Sequence, residues 1–178
     1  MSPTAFPEAV DPSVRCPQDV PRLLGDLVSE DGLVRRKARR CLVRLGEAAA
    51  PALMEALSDP RPLLRLEAAE ALLYIASPMA AASLVEALDD REFGVRWLAA
   101  EALIALKCGG LVPLLEGIPR HADSLWFRQA AHHVLHDHYC EVLRDEVRPV
   151  LEALGARGAE ETAPVAAHAV LKTLTARR

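Results

Sequence analysis

Apolar residues return along this chain with a helical period, and that pattern itself recurs. A short apolar segment is followed, after a polar turn, by a longer one. The longer segments read VRRKARRCLVRL from Val34, LRLEAAEALLYI from Leu64, VRWLAAEALIAL from Val95, WFRQAAHHVLHD from Trp126 and APVAAHAVLKTL from Ala163. Their starts lie 30, 31, 31 and 37 residues apart. The shorter segments, VPRLLGDL, APALMEAL, AASLVEAL, LVPLLEGI and RPVLEAL, end at Leu27, Leu57, Leu88, Ile118 and Leu154, with spacings of 30, 31, 30 and 36. Two registers that agree mark a structural repeat.

Each unit is predicted to be a helix hairpin with too little core to stand alone, so neighbours must stack. The expected fold is therefore all-α, a solenoid of about five hairpins over residues 20–46, 50–76, 81–107, 111–138 and 147–175. Ser29, Asp31, Ser58, Asp59, Asp89 and Asp90 supply turns and helix caps. Pro51, Pro113 and Pro149, and Pro21 as well, suit first helical turns, where a missing N–H costs least. Gly109-Gly110 reads as a C-cap turn closing the third hairpin. Residues 1–19 are Pro-rich and patternless, a flexible tail or partial cap. An insertion from Cys140 to Val147 lengthens the period before the fifth repeat.

Counting each second helix from its first apolar residue, slots 1, 5, 8, 9 and 12 form a buried stripe, and slots 3, 7 and 11 share the opposite face. Slot 3 holds Arg36, Leu66, Trp97, Arg128 and Val165. Slot 7 holds Arg40, Glu70, Glu101, His132 and Ala169, and slot 11 Arg44, Tyr74, Ala105, His136 and Thr173. Leu66, Tyr74 and Trp97 are apolar or aromatic where polar residues are expected, the composition of an interface anchor. Glu70 and Glu101 flank them, and Arg36, Arg40 and Arg44 form a basic stripe at one end.

The motif (V/L)-R-x-x-A-A-E-A-L, carried by Leu64–Leu72 and Val95–Leu103, resembles HEAT repeats of the short type shared with phycobilin lyase subunits. The likeness spans about residues 20–175. It implies a right-handed α-α superhelix whose second helices line the concave surface. It also implies pairing of the repeat arginine with a turn aspartate, Arg65 with Asp59 and Arg96 with Asp90. Arg35 faces Ser29 instead, while repeats four and five place Phe127 and Pro164 at the arginine position.

Composition narrows the function classes. The 178 residues are 51% apolar but only 4% aromatic, which suits helices packed through Ala and Leu. A net charge of -4 argues against general nucleic-acid binding. The run Arg35-Arg36-Lys37-Ala38-Arg39-Arg40 keeps that class open as a minority alternative. HEAT-like alkylpurine DNA glycosylases use a basic concave groove, but here Glu70 and Glu101 would repel a continuous backbone. No apolar run reaches the roughly 18–20 residues that span a bilayer. The N-terminus has no secretory pattern. Cys16, Cys41, Cys108 and Cys140 form no CxxC pair, so reduced thiols and a cytoplasmic location are expected.

His132 and His136, four apart on one helix, are the best candidates for metal chemistry. Further ligands would come from Glu101, Cys140 or a partner. HEAT-like deoxyhypusine hydroxylase repeats His-Glu dipeptides, which this chain lacks. His133 and Asp137 occupy buried slots, where they would satisfy each other. No GxSxG, P-loop or dinucleotide motif occurs. The expected function is a non-enzymatic scaffold or adaptor without cofactor, binding an apolar and basic protein or peptide through Trp97, Leu66, Tyr74, Glu70, Glu101, Arg36, Arg40 and Arg128. The alternatives are metal or tetrapyrrole handling through His132 and His136, and nucleic-acid binding through Arg36, Arg40 and Arg44.

Overall fold

Polar turns set where the helices begin. Asp19 accepts the Arg22 backbone N–H at 3.2 Å, and Asp31 accepts that of Leu33 at 2.8 Å. Pro62 opens a helix where its missing N–H leaves nothing unsatisfied. The computed structural model describes residues 16, 18–137 and 144–176. Among the described residues there are ten α-helices and no strand: α1 Val20–Asp26, α2 Gly32–Leu45, α3 Ala50–Ala56, α4 Pro62–Ile75, α5 Ala81–Ala87, α6 Phe93–Ala105, α7 Cys108–His121, α8 Leu125–Asp137, α9 Arg144–Gly155 and α10 Ala159–Ala176. Taken in order they make five hairpins, the all-α solenoid that the repeat predicts.

The second helices stack in a row, α2 on α4, α4 on α6 and α6 on α8, while α5 packs on α7 in the opposite row. Alanine makes the close stacking possible: Ala68, Ala69, Ala71, Ala99, Ala100 and Ala102 are all buried on α4 and α6. In the other row Gly117 of α7 faces Val85 of α5, and even one added Cβ would collide with the valine. The predicted buried stripe holds on α4 and α6, where Leu64, Leu72, Val95 and Leu103 are all but inaccessible.

The fifth hairpin departs from this order. Here α9 packs on α8 and α10 on α7, so the hairpin is turned over relative to its predecessors. Val165, Ala169 and Thr173 therefore do not extend the row of second helices. The reversal falls where the repeat period lengthens.

Repeat four departs in register. Phe127, Ala131, Val134 and Leu135 are the buried residues of α8, whereas Trp126 and Asp137 are exposed and His133 is half-buried. The expected burial of Trp126, His133 and Asp137 is thus corrected by one residue, a rotation of about 100° around the helix. Arg128 moves with them. It takes the repeat-arginine position, donating from Nη1 to the Ala122 carbonyl. The turn after α6 is corrected too: Lys107 is the residue with positive φ, at 51°, and Gly109 and Gly110 lie within α7.

Two further expectations change. Cys16 and Cys41 form a disulfide, with Cα atoms 5.2 Å apart, and Cys108 is disulfide-bonded as well. Reduced thiols are therefore not what the fold shows, and the end of the N-terminal segment is tied to α2. The bond closes a loop across a sequence separation of 25, which chain-entropy reasoning values at about 3.5 kcal/mol. Cys16→Ser should lower the urea-unfolding free energy of the oxidised protein by about that much, with the loss of amide protection concentrated in α1. Identical curves for the variant and the oxidised wild type would contradict the tie.

Candidate functional site

The repeat arginines show how the turns are held. Arg65 donates from Nη1 to the carbonyls of Asp59 (2.9 Å) and Pro60 (3.2 Å) in its own hairpin. Its Nε and Nη2 form a bidentate pair with the Asp90 carboxylate of the next hairpin, at 2.6 and 3.0 Å. The expected pairing of Arg65 with the Asp59 carboxylate is thus replaced by a bond across repeats. The Asp59 carboxyl is engaged by Arg61, whose side-chain and backbone hydrogen bonds hold its pKa down to about 2. Arg96 likewise meets Asp90 through the carbonyl, at 2.7 Å, and Arg91 through its carbonyl at 3.1 Å.

Beyond those two bonds, Arg96 lies among aromatic rings. Its guanidinium sits 4.7 Å from the Trp126 ring centroid and 5.7 Å from that of Phe93, within cation–π range. Trp97 stacks on Phe93 at 6.3 Å and on His133 at 5.0 Å. These side chains, with Gln129, line a groove of about 190 Å³ between α6 and α8. The rings remain open to solvent: Phe93 is 69% exposed, Trp126 48% and Trp97 47%. Seven large hydrophobic residues are well exposed among the described residues, and four of them, Phe93, Trp97, Leu125 and Trp126, stand at the starts of α6 and α8.

The predicted site residues divide around this groove. Trp97 lies in it, and Glu101 borders it through a 3.2 Å contact with His133 Nε2. Leu66 touches the neighbouring backbone, where a Cβ on Gly94 would press against Leu66 Cδ1 at 2.9 Å. Glu70 belongs to a separate cluster on α2 and α4. Arg39 Nη1 pairs with Glu70 at 2.9 Å and also with Glu67, which Arg35 approaches at 3.4 Å. Burial raises the Glu70 pKa, opposed by Arg39 and reinforced by Glu67. Arg36 is exposed beside that cluster, Arg40 and Tyr74 are half-buried, and Arg44 reaches Cys16 Sγ at 3.6 Å. None of these four lines the α6–α8 groove.

Phe93 and Trp126 are the aromatic groove residues that sequence reasoning missed, and Arg96, read there only as a turn partner, lines the groove with them. Phe93 precedes the first slot of its repeat, and the one-residue register error placed Trp126 in the core. The useful signal was the Phe127-Arg128 pair, which matches Val95-Arg96.

His132 and His136 stack with centroids 6.3 Å apart. His136 Nδ1 is 2.7 Å from Asp137, while the His132 ring faces Gly155 of α9. Burial lowers the His132 pKa, and His136 and His133 lower it further. Among the described residues no three His, Cys, Asp or Glu side chains converge as metal ligands. His138 and Cys140 lie outside the described residues. Among those described, no helix is long and apolar enough to cross a membrane.

Comparison with known proteins places the scaffold. No curated protein matches the chain. The family model for HEAT repeats matches twice, over residues 20–104 and 50–136, which together span the first four hairpins. With ten helices stacked as repeated hairpins and that match over more than half its length, the chain belongs to the HEAT-repeat family.

Proposed function

We propose that this HEAT-repeat chain is a non-enzymatic interaction scaffold that docks a protein or peptide segment in the groove between α6 and α8. HEAT repeats commonly serve as protein-interaction scaffolds. The observation that carries the reading is the gathering of Phe93, Trp97, Leu125 and Trp126, all exposed, at one edge of the helix row. Tryptophan and arginine are the residues most often found at interface hot spots, and here Trp97, Trp126 and Arg96 adjoin. The groove, at about 190 Å³, is smaller than the roughly 300–1,000 Å³ of a typical small-molecule pocket. It suits single side chains of a larger partner.

A cationic partner has less support than the sequence suggested. Glu70 is paired with Arg39, and Glu101 with His133. The same pairing weakens a nucleic-acid role, since Arg35 and Arg39 of the basic run are engaged by Glu67 and Glu70. A cytoplasmic setting carries a chemical condition: there the Cys16–Cys41 bond would stand reduced.

The test is affinity capture from native cell extract with the wild type and Trp97→Ala in parallel. Trp97→Ala should lose the captured partner, by about tenfold or more for a hot-spot residue. Helicity and melting temperature should remain unchanged. Undiminished capture by the variant would remove the groove from the function.

A further inference from the structure

The repeat arginines differ in what meets them from the next hairpin. Arg65 receives the Asp90 carboxylate and Arg35 receives Glu67 of α4. At the position corresponding to Asp90, the next repeat has Ala122. The correspondence is fixed by two hydrogen bonds: Arg128 Nη1 donates to the Ala122 carbonyl as Arg96 Nη1 does to Asp90, and Arg128 N donates to Ser124 as Arg96 N does to Glu92. Among the described residues, Arg96 thus has no carboxylate in the place where Asp90 meets Arg65. Both hydrogen bonds of its side chain leave from Nη1. The rest of its guanidinium lies between Phe93 and Trp126, at the mouth of the groove.

Resting on the docking function proposed above, we propose that the partner segment is acidic and apolar, and that it supplies the missing carboxylate. An Asp, Glu or C-terminal carboxylate would take the Nε–Nη2 edge of Arg96 in the bidentate geometry that Asp90 adopts on Arg65. A neighbouring apolar side chain of the segment would lie against Trp97 and Trp126. Charge complementarity favours this occupant. Asp90 is engaged by Arg65 and Glu101 by His133, and among the residues that line the groove Arg96 is the one that carries a fixed positive charge. A guanidinium held in place by two carbonyls and flanked by rings has little ordering left to do, which favours a bidentate contact.

The chain carries its own probe. Its two tryptophans, Trp97 and Trp126, both line the groove, so intrinsic emission reports occupancy there. The experiment screens the full-length protein against a bead-bound library of short random peptides, then titrates the enriched peptides by tryptophan fluorescence. Enriched peptides should pair Asp, Glu or a free C-terminus with an aromatic or leucine side chain. Ala122→Asp, which places a carboxylate on Arg96 from within, should weaken them by about tenfold or more. Ala122→Asn should bind like the wild type. Arg96→Gln, which keeps an amide near the turn carbonyls, should also lose binding and remains informative should Ala122→Asp not fold.

Peptides that bind in a Trp97-dependent way without acidic preference would overturn the acidic-partner inference and leave the docking function standing. Binding indifferent to both Ala122→Asp and Arg96→Gln would do the same. Emission that responds to oligodeoxythymidylate and to no peptide would overturn it in favour of a nucleic acid. A library that moves neither tryptophan would also overturn it, leaving the docking function to the capture experiment.

Discussion

Phe127→Ala should destabilise the protein by about 3–5 kcal/mol, while Trp126→Ala should cost less than about 1 kcal/mol, both measured by urea unfolding. Phe127 is fully buried and stacks on His121 of α7 at 4.7 Å. Its removal takes the largest side chain out of the α7–α8 contact and leaves a cavity that two packed helices cannot easily close. His121, held to Glu86 of α5 at 2.9 Å, would lose the ring beneath it. Trp126 is 48% exposed and touches Arg96 across the groove, so its truncation subtracts surface contact only. The opposite order of effects would restore the register in which Trp126 is the core residue of repeat four.

Arg65→Ala should be comparably severe, at about 3–5 kcal/mol. The Arg65 side chain is 6% exposed and Asp90 10% exposed, so their bidentate pair is nearly dry. Truncating the arginine leaves the Asp90 carboxylate with the Glu92 N–H at 2.8 Å but without its paired guanidinium. It also releases the carbonyls of Asp59 and Pro60 in the turn between α3 and α4. Because the pair joins hairpins two and three, the loss should appear as reduced cooperativity between them as well as a lower midpoint. A double-mutant cycle with Asp90→Ala separates these effects. Removing both partners should cost clearly less than the two single losses added together, since no charge is then stranded. Strict additivity would show that the pair contributes only as two independent caps.

The solenoid was legible because its signal is redundant. Each hairpin offers an apolar stripe, a polar turn and a fixed period, and errors in one leave the others intact. Ala68, Ala99 and Leu103 fell into the core where the slots placed them. Register within a single repeat has less redundancy. In WFRQAAHH two adjacent aromatics compete for one buried slot, and spacing alone favoured Trp126. The arginine that must reach back to its own turn decides for Phe127.

Contacts across repeats were less legible still. Nothing in the spacing distinguishes an arginine that meets its own turn aspartate from one that meets the next. The difference arises because Arg61 occupies Asp59 and because stacking brings Asp90 under Arg65. The reversal of the fifth hairpin is likewise a packing outcome, seen where α9 meets α8 and α10 meets α7. At the candidate site, Trp97 was found from its exposed slot, while Phe93 and Trp126 depend on the turn geometry and the register that bring them to Arg96. The Cys16–Cys41 bond joins residues 25 apart on unrelated elements, beyond any local pattern.

On the proposed function, the α6–α8 groove is where this scaffold meets its partner. Hydrogen exchange of the chain alone and in complex with the partner that it captures tests this most directly. Slowed exchange is expected in Phe93–Ala105 and Leu125–Asp137, strongest at their N-terminal turns, where Arg96 and Trp126 lie. Protection confined to α3, α5 and α7, with α6 and α8 unchanged, would contradict it.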